Sequence, residues 1–152
     1  MNTVRTKLEA ANRTYLVNTW QGAGEELNGA TIYVGHANTT IGDEDRIGIS
    51  AGVLGGPHAR QGNYEVELRF VVITNRRVQS GDAEDTLVTH EKRCEAIAGI
   101  YGETRVATVT TALTAIDAQL GVSAYWGYDR NDQDDENNYV TILTKTFACH
   151  LA

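Results

Sequence analysis

Hydrophobic and polar positions alternate along Asn63–Thr74 with the period of an extended strand. Tyr64, Val66, Leu68, Phe70 and Val72 fall on one face, and Glu65, Glu67 and Arg69 on the other. Val71 and Ile73 then make the second face apolar as well, so this end of the strand is expected to be covered on both sides. Upstream, Val4, Leu8, Ala11 and Tyr15 recur at steps of four, three and four, which predicts an amphipathic helix from Thr3 to about Trp20. Its outer face carries Arg5, Lys7 and Arg13 against Glu9, a basic stripe read as solvated or as a contact for an acidic neighbouring subunit.

Breakers divide the rest. The glycines of Gln21–Gly29 end the first helix, and Ala30–His36 and Arg46–Ser50 read as short strands. Gly52–Gly62, which holds four glycines and Pro57, reads as a long loop. Beyond the long strand, Asn75–Asp82 turns into a second helix, Asp82–Tyr101, with Ser80 or Asp82 as N-cap and Glu84 and Asp85 favourable in its first turn. Leu87, Cys94, Ile97, Ala98 and Tyr101 are expected on its buried face, and Gly102 as its stop. Val106, Val109, Leu113, Ile116 and Leu120 also step helically, but the threonines among them weaken the signal, and a short helix is predicted over Thr111–Gln119.

Gly121–Tyr128 and Tyr139–Leu151 read as strands joined by the polar tip Asp129–Asn138. The last strand is apolar on both faces and is expected inside the sheet or under a helix. The elements predict an α+β fold in one domain, 1–152. Its sheet is mainly antiparallel or mixed, flanked by an N-terminal and a central helix and completed by a C-terminal β-hairpin.

Composition narrows the class. A chain of 152 residues buries enough surface for one domain without staples, and 41% hydrophobic residues against 22% charged exclude global disorder. Nowhere do about eighteen apolar residues run together, and the N-terminus lacks an apolar signal core, so a cytosolic protein with no membrane contact is expected. Cys94 and Cys149 are then expected to stay reduced. A net charge of −7 argues against a general nucleic-acid binder, which needs clustered Lys and Arg.

Candidate chemistry is sparse. The acid run Asp129–Glu136 fails the spacing of an EF-hand loop, which places Gly sixth and Glu twelfth; counted from Asp129 these are Asp134 and Val140. His90, Cys94, Cys149 and His150 are four zinc-compatible ligands without zinc-site spacing, so buried thiols and a surface imidazole are expected. His58 sits in a loop, where functional residues concentrate, but no nucleophile and orienter accompany it. The same loop lacks the Gly-Lys-Ser/Thr of a phosphate-binding loop. Tyr125, Trp126 and Tyr128 read as core or interface aromatics. No catalytic, cofactor or metal residues are assigned, and an enzyme is not expected.

The order of elements resembles the tail-terminator, or tail-completion, proteins of long-tailed bacteriophages. The resemblance rests on Gly62–Thr74, on the following helix with His90-Glu-Lys-Arg-Cys-Glu-Ala-Ile97, and on the hairpin from Gly121-Val-Ser-Ala-Tyr-Trp-Gly127 to Thr144-Lys-Thr-Phe-Ala-Cys-His150. It implies a subunit of a homo-oligomeric ring, typically a hexamer, that caps the tail tube, ends its polymerisation and joins the neck or head-completion protein. DNA would pass through the ring without sequence-specific binding. The implied location is the tail–neck junction of the virion, after assembly in the host cytoplasm. A head-closure ring, tube subunit or decoration protein is the alternative, followed by a small ligand-binding domain or enzyme. On this reading Gly55, Gly56, His58 and Arg60, with Asp129, Asp132, Asp134, Asp135 and Glu136, are expected at assembly contacts or facing the channel.

Overall fold

The computed structural model describes residues 3–35, 44–55, 63–76, 83–134 and 137–151. They form one α+β domain with a mixed five-stranded sheet and three helices. The strands are β1 (Thr31–Val34), β2 (Arg46–Gly55), β3 (Asn63–Asn75), β4 (Leu120–Asp132) and β5 (Asn138–Leu151), arranged in the order β1-β2-β3-β5-β4. β1 runs parallel to β2, and every other pairing is antiparallel. The helices are α1 (Val4–Trp20), α2 (Ala83–Ile100) and α3 (Val106–Ile116). Among the described residues no helix is long and apolar enough to cross a membrane.

The alternation in β3 organises the core. Val66, Leu68, Phe70 and Val72 are buried beside Ile47 and Ile49 of β2 and Leu143, Phe147 and Cys149 of β5. All three helices contribute to that same cluster: Leu8, Ala11, Tyr15 and Leu16 from α1, Cys94, Ile97 and Ile100 from α2, Val109 and Leu113 from α3. Tyr101, fully buried, lies between Phe70 and Phe147 with ring centroids 4.9 and 5.9 Å away, and its hydroxyl donates to Asn12 Oδ1 of α1 at 2.7 Å. Each large side chain of this kind contributes about 1.5–3 kcal/mol by leaving water. On the second face Ile73 is completely buried and Val71 half-buried, as expected for a strand end covered on both sides.

Helix ends follow local chemistry. Thr3 Oγ1 accepts from Thr6 N at 3.2 Å and caps α1. The loop after α1 closes against α2 at Gly29, whose φ of +86° and 3.1 Å approach of Arg93 Nη2 to the position of a Cβ leave no room for another residue. Gly102 does stop α2, but with φ −77° and not in the left-handed region; a Cβ there would lie 3.3 Å from Gly99 O. The expected N-caps Ser80 and Asp82 lie outside the described residues.

Several sequence expectations need correction. The second strand continues through Gly52 and Val53 to Gly55, because β3 offers a partner along its whole length: Gly52 pairs with Glu67, Val53 with Val66 and Gly55 with Glu65. α3 starts at Val106, five residues before the predicted Thr111. Its threonines are accommodated because Thr110 and Thr114 donate to the carbonyls of Val122 and Leu120, while Thr111 bonds Ala107 O. Leu87 is exposed; His90 and Arg93 take the buried positions one turn or more further along α2. Glu9 is buried, not on the outer face of α1, and its Oε2 accepts from Ala51 N of β2 at 3.0 Å. The hairpin strands also run further than predicted, so Asp129–Asp132 belongs to β4 and not to a loop.

Candidate functional site

Of the residues expected at assembly contacts, Gly56, His58, Arg60, Asp135 and Glu136 lie outside the described residues. Gly55 ends β2 opposite Glu65. Asp129 sits on β4 opposite Thr144, exposed. Asp132 and Asp134 are engaged by their own chain. Arg130 donates to Glu91 Oε1 at 2.7 Å and to Asp132 Oδ1 at 3.2 Å, tying β4 to α2. Asp134 accepts from Val140 N at 3.2 Å and pairs with Arg76 at 3.6 Å, which in turn stacks over Tyr139. The Thr141 hydroxyl and then Arg130 hold the Asp132 carboxyl below its ordinary pKa. Among the described residues no three His, Cys, Asp or Glu side chains converge to hold a metal ion.

The structure brings together a different set of residues, under the N-terminal half of α2. His90, 1% exposed, places Nδ1 2.9 Å from Thr74 Oγ1 of β3 and Nε2 2.8 Å from Thr141 Oγ1 of β5. Thr141 bonds Asp132 Oδ1 at 2.6 Å. An ionised carboxylate can only accept, so the Thr141 hydroxyl is the donor and its oxygen receives Nε2–H. In the neutral ring Nδ1 is then bare and accepts the Thr74 hydroxyl. Thr74 Oγ1 is also approached by Arg93 Nη1 at 3.4 Å, and a guanidinium can only donate. Arg93 continues the chain to Asp45 Oδ2 at 2.7 Å and to Asn28 O at 3.1 Å, while Asp45 Oδ1 accepts from Asn75 N at 2.9 Å.

The result is a hydrogen-bonded line, Asp132–Thr141–His90–Thr74–Arg93–Asp45, that crosses from β4 through β5, α2 and β3 to the residue before β2. Thr74, Thr141, Arg93 and Asp45 are all buried. Burial lowers the His90 pKa from its ordinary value and so favours the neutral ring. Cys94 Sγ lies 3.6 Å from Nε2, but burial pushes its pKa up to about 11 and keeps the thiol protonated, the opposite of an activated nucleophile. The expectation of buried thiols holds for Cys94 and Cys149; of the two histidines, His150 is exposed and His90 is not. Sequence reading passed over this line because each member looks like an ordinary surface residue. The available signal was positional, since His90 and Thr141 occupy core-facing places on otherwise apolar faces.

Two further features complete the inventory. Lys145 of β5 is 3% exposed on the helix-covered face, with Nζ donating to Ala98 O at 3.2 Å and lying over the rings of Tyr128 and Tyr125 at 4.1 and 4.9 Å. Burial without a carboxylate partner lowers its pKa to about 8. A cleft of about 600 Å³ lies between the loop after α1 and α2, rimmed by Lys92, Arg93 and Arg105 and by Glu25, Glu26 and Glu95, so its charges cancel.

The opposite side of the sheet is divided: Arg46, Ser50, Ile73 and Val140 are buried toward one end, whereas toward the other Glu65 and Arg69 are exposed, and Thr144, Thr146 and Ala148 half-buried. β4 forms one edge of the sheet, carries two register shifts, and exposes Trp126 by 51% and Tyr128 by 45%. Compared with known proteins, the chain matches no protein-family model, and no curated protein sequence matches it.

Proposed function

We propose that the protein is a structural subunit of a phage tail, forming a closed homo-oligomeric ring that caps the tail tube, ends its growth and joins it to the neck. In this reading it carries out no reaction; DNA passes through the ring, and the acidic surface keeps that passage from gripping phosphate. The observation that supports the proposal is the lopsided sheet. Its three helices feed one core on one face, part of the other face carries exposed and half-buried side chains, and β4 presents an edge with two exposed aromatics. Unpaired edges and exposed aromatic patches suit association, and head-to-tail contact between different surfaces of one chain closes into rings.

Electron microscopy and light scattering of the purified protein, alone and with isolated tail tubes, test the reading. Closed rings, or monomers that bind only the tube end, are expected. Open filaments point instead to a tube subunit, and monomers that ignore tubes at every concentration reject the assembly role. Replacing Trp126 with Ser should weaken ring formation at least tenfold while leaving the thermal midpoint of the monomer within a few degrees.

A further inference from the structure

The polar line beneath α2 contains one atom whose hydrogen-bonding sense reverses with a single proton. With a neutral ring every bond in the line has one donor and one acceptor, and Nδ1 of His90 is the acceptor that the Thr74 hydroxyl requires. We propose that this line is a proton-operated latch. The neutral ring of His90 bolts α2 to β3 and β5, and a second ring proton turns Nδ1 into a donor and frees the N-terminal half of α2 from the sheet.

The chemistry of the surroundings supports release over simple rearrangement. A protonated Nδ1 would press its hydrogen on Thr74 Oγ1, which Arg93 Nη1 already approaches, and the Thr74 proton would lose its acceptor. The new charge would also be buried. Charged and titratable groups face His90 from each element around it: Glu91, Arg93 and Cys94 on α2, Arg130 and Asp132 on β4, Tyr139 on β5, and Asp134 after β4. The three carboxylates favour the imidazolium. Each is, however, already paired with Arg130 or Arg76, and Arg130 opposes the added charge. Burial is the largest influence on the ring, and it favours neutrality.

The sign follows from linkage. Because the folded ring binds its proton less readily than an unfolded one, the contribution of His90 to stability is complete above the unfolded value, about 6.5, and declines as pH falls below it. The loss stops growing once the folded ring also takes up its proton.

Imidazole nitrogen NMR on the intact protein reads the ring directly. The expected result is a neutral ring at pH 6.5, Nε2–H with bare Nδ1, titrating below the ordinary histidine value. On further acidification, amide exchange in α2 should accelerate at least tenfold before that in α1 or α3. An Nδ1–H tautomer, a ring charged at pH 7, or simultaneous exchange from all three helices overturns the latch. His90→Phe removes the titration and should flatten the dependence of the urea midpoint on pH between 6.5 and 5 relative to the parent. An unchanged slope also rejects the proposal. Should that variant fail to fold, Asp132→Ala keeps the ring and removes the acceptor that pins it. Mixed ring tautomers are then expected, whereas a pure Nε2–H form contradicts the assigned line.

Discussion

The two faces of β5 share one backbone, one pair of neighbouring strands and one register, yet they bear different duties. Toward the helices, Leu143, Phe147 and Cys149 are sealed into the core; away from them Val140 is buried beside Ile73, but Ile142, Thr144, Thr146 and Ala148 stay half-buried. The ladder hydrogen bonds are common to both, so they cannot account for the difference. What a face supports is decided by what packs on it. The covered face also holds two polar intrusions, Thr141 and Lys145, and these are accommodated in unlike ways. Thr141 joins a saturated line of donors and acceptors, whereas Lys145 has a carbonyl and two aromatic rings but no described carboxylate.

Truncation breaks the comparison most strongly on the covered side. Phe147→Ala should cost about 3–5 kcal/mol in urea unfolding, since Phe147 is buried edge-on against Tyr101 and beside Tyr125 and its truncation leaves a cavity. Arg93→Ala belongs to the same range, about 3–5 kcal/mol, because it breaks a buried ion pair with Asp45 and removes the donor to Asn28 O. A loss below about 1 kcal/mol in either case would mean that these contacts do not hold the helices to the sheet.

Lys145→Met sharpens the comparison with an opposite sign. It keeps the apolar stem and removes a buried ammonium, so stability at pH 7 should be unchanged or higher. Because burial brings the folded pKa to about 8 while an unfolded lysine titrates near 10.4, the unfolded chain holds more protons between these values. Stability of the parent should therefore rise with pH across that window, and the Met variant should lose the rise. Thr146→Ala, on the open face, should shift the urea midpoint by no more than about 0.5 kcal/mol equivalent. Any larger effect on a monomer would show that the open face is covered within one chain.

Much of the fold was legible in residue order. The four-three-four steps of Val4, Leu8, Ala11 and Tyr15 placed α1, and the alternation of Val66, Leu68, Phe70 and Val72 placed β3 with its buried face. Errors fell where local preference competed with tertiary pairing. Gly52 and Gly55 read as loop because glycine weakens an isolated strand, but the ladder to Glu67 and Glu65 extends β2 through them. Thr110 and Thr114 weakened the prediction of α3, yet in the fold their hydroxyls bond carbonyls at the start of β4. The acidic tip was visible as a run of charge, but its engagement by Arg130, Arg76 and Thr141 was not.

By itself the sequence determined which faces are apolar, because side-chain period follows directly from helix and strand geometry. It also determined the acidic surplus. Only the tertiary structure decided the strand order, the gathering of all three helices on one sheet face and the meeting of Asp45, Thr74, His90, Arg93, Asp132 and Thr141. Those six come from five segments, with His90 and Arg93 sharing α2, and hydrogen bonds between segments form only when packing brings their donors and acceptors within about 3 Å.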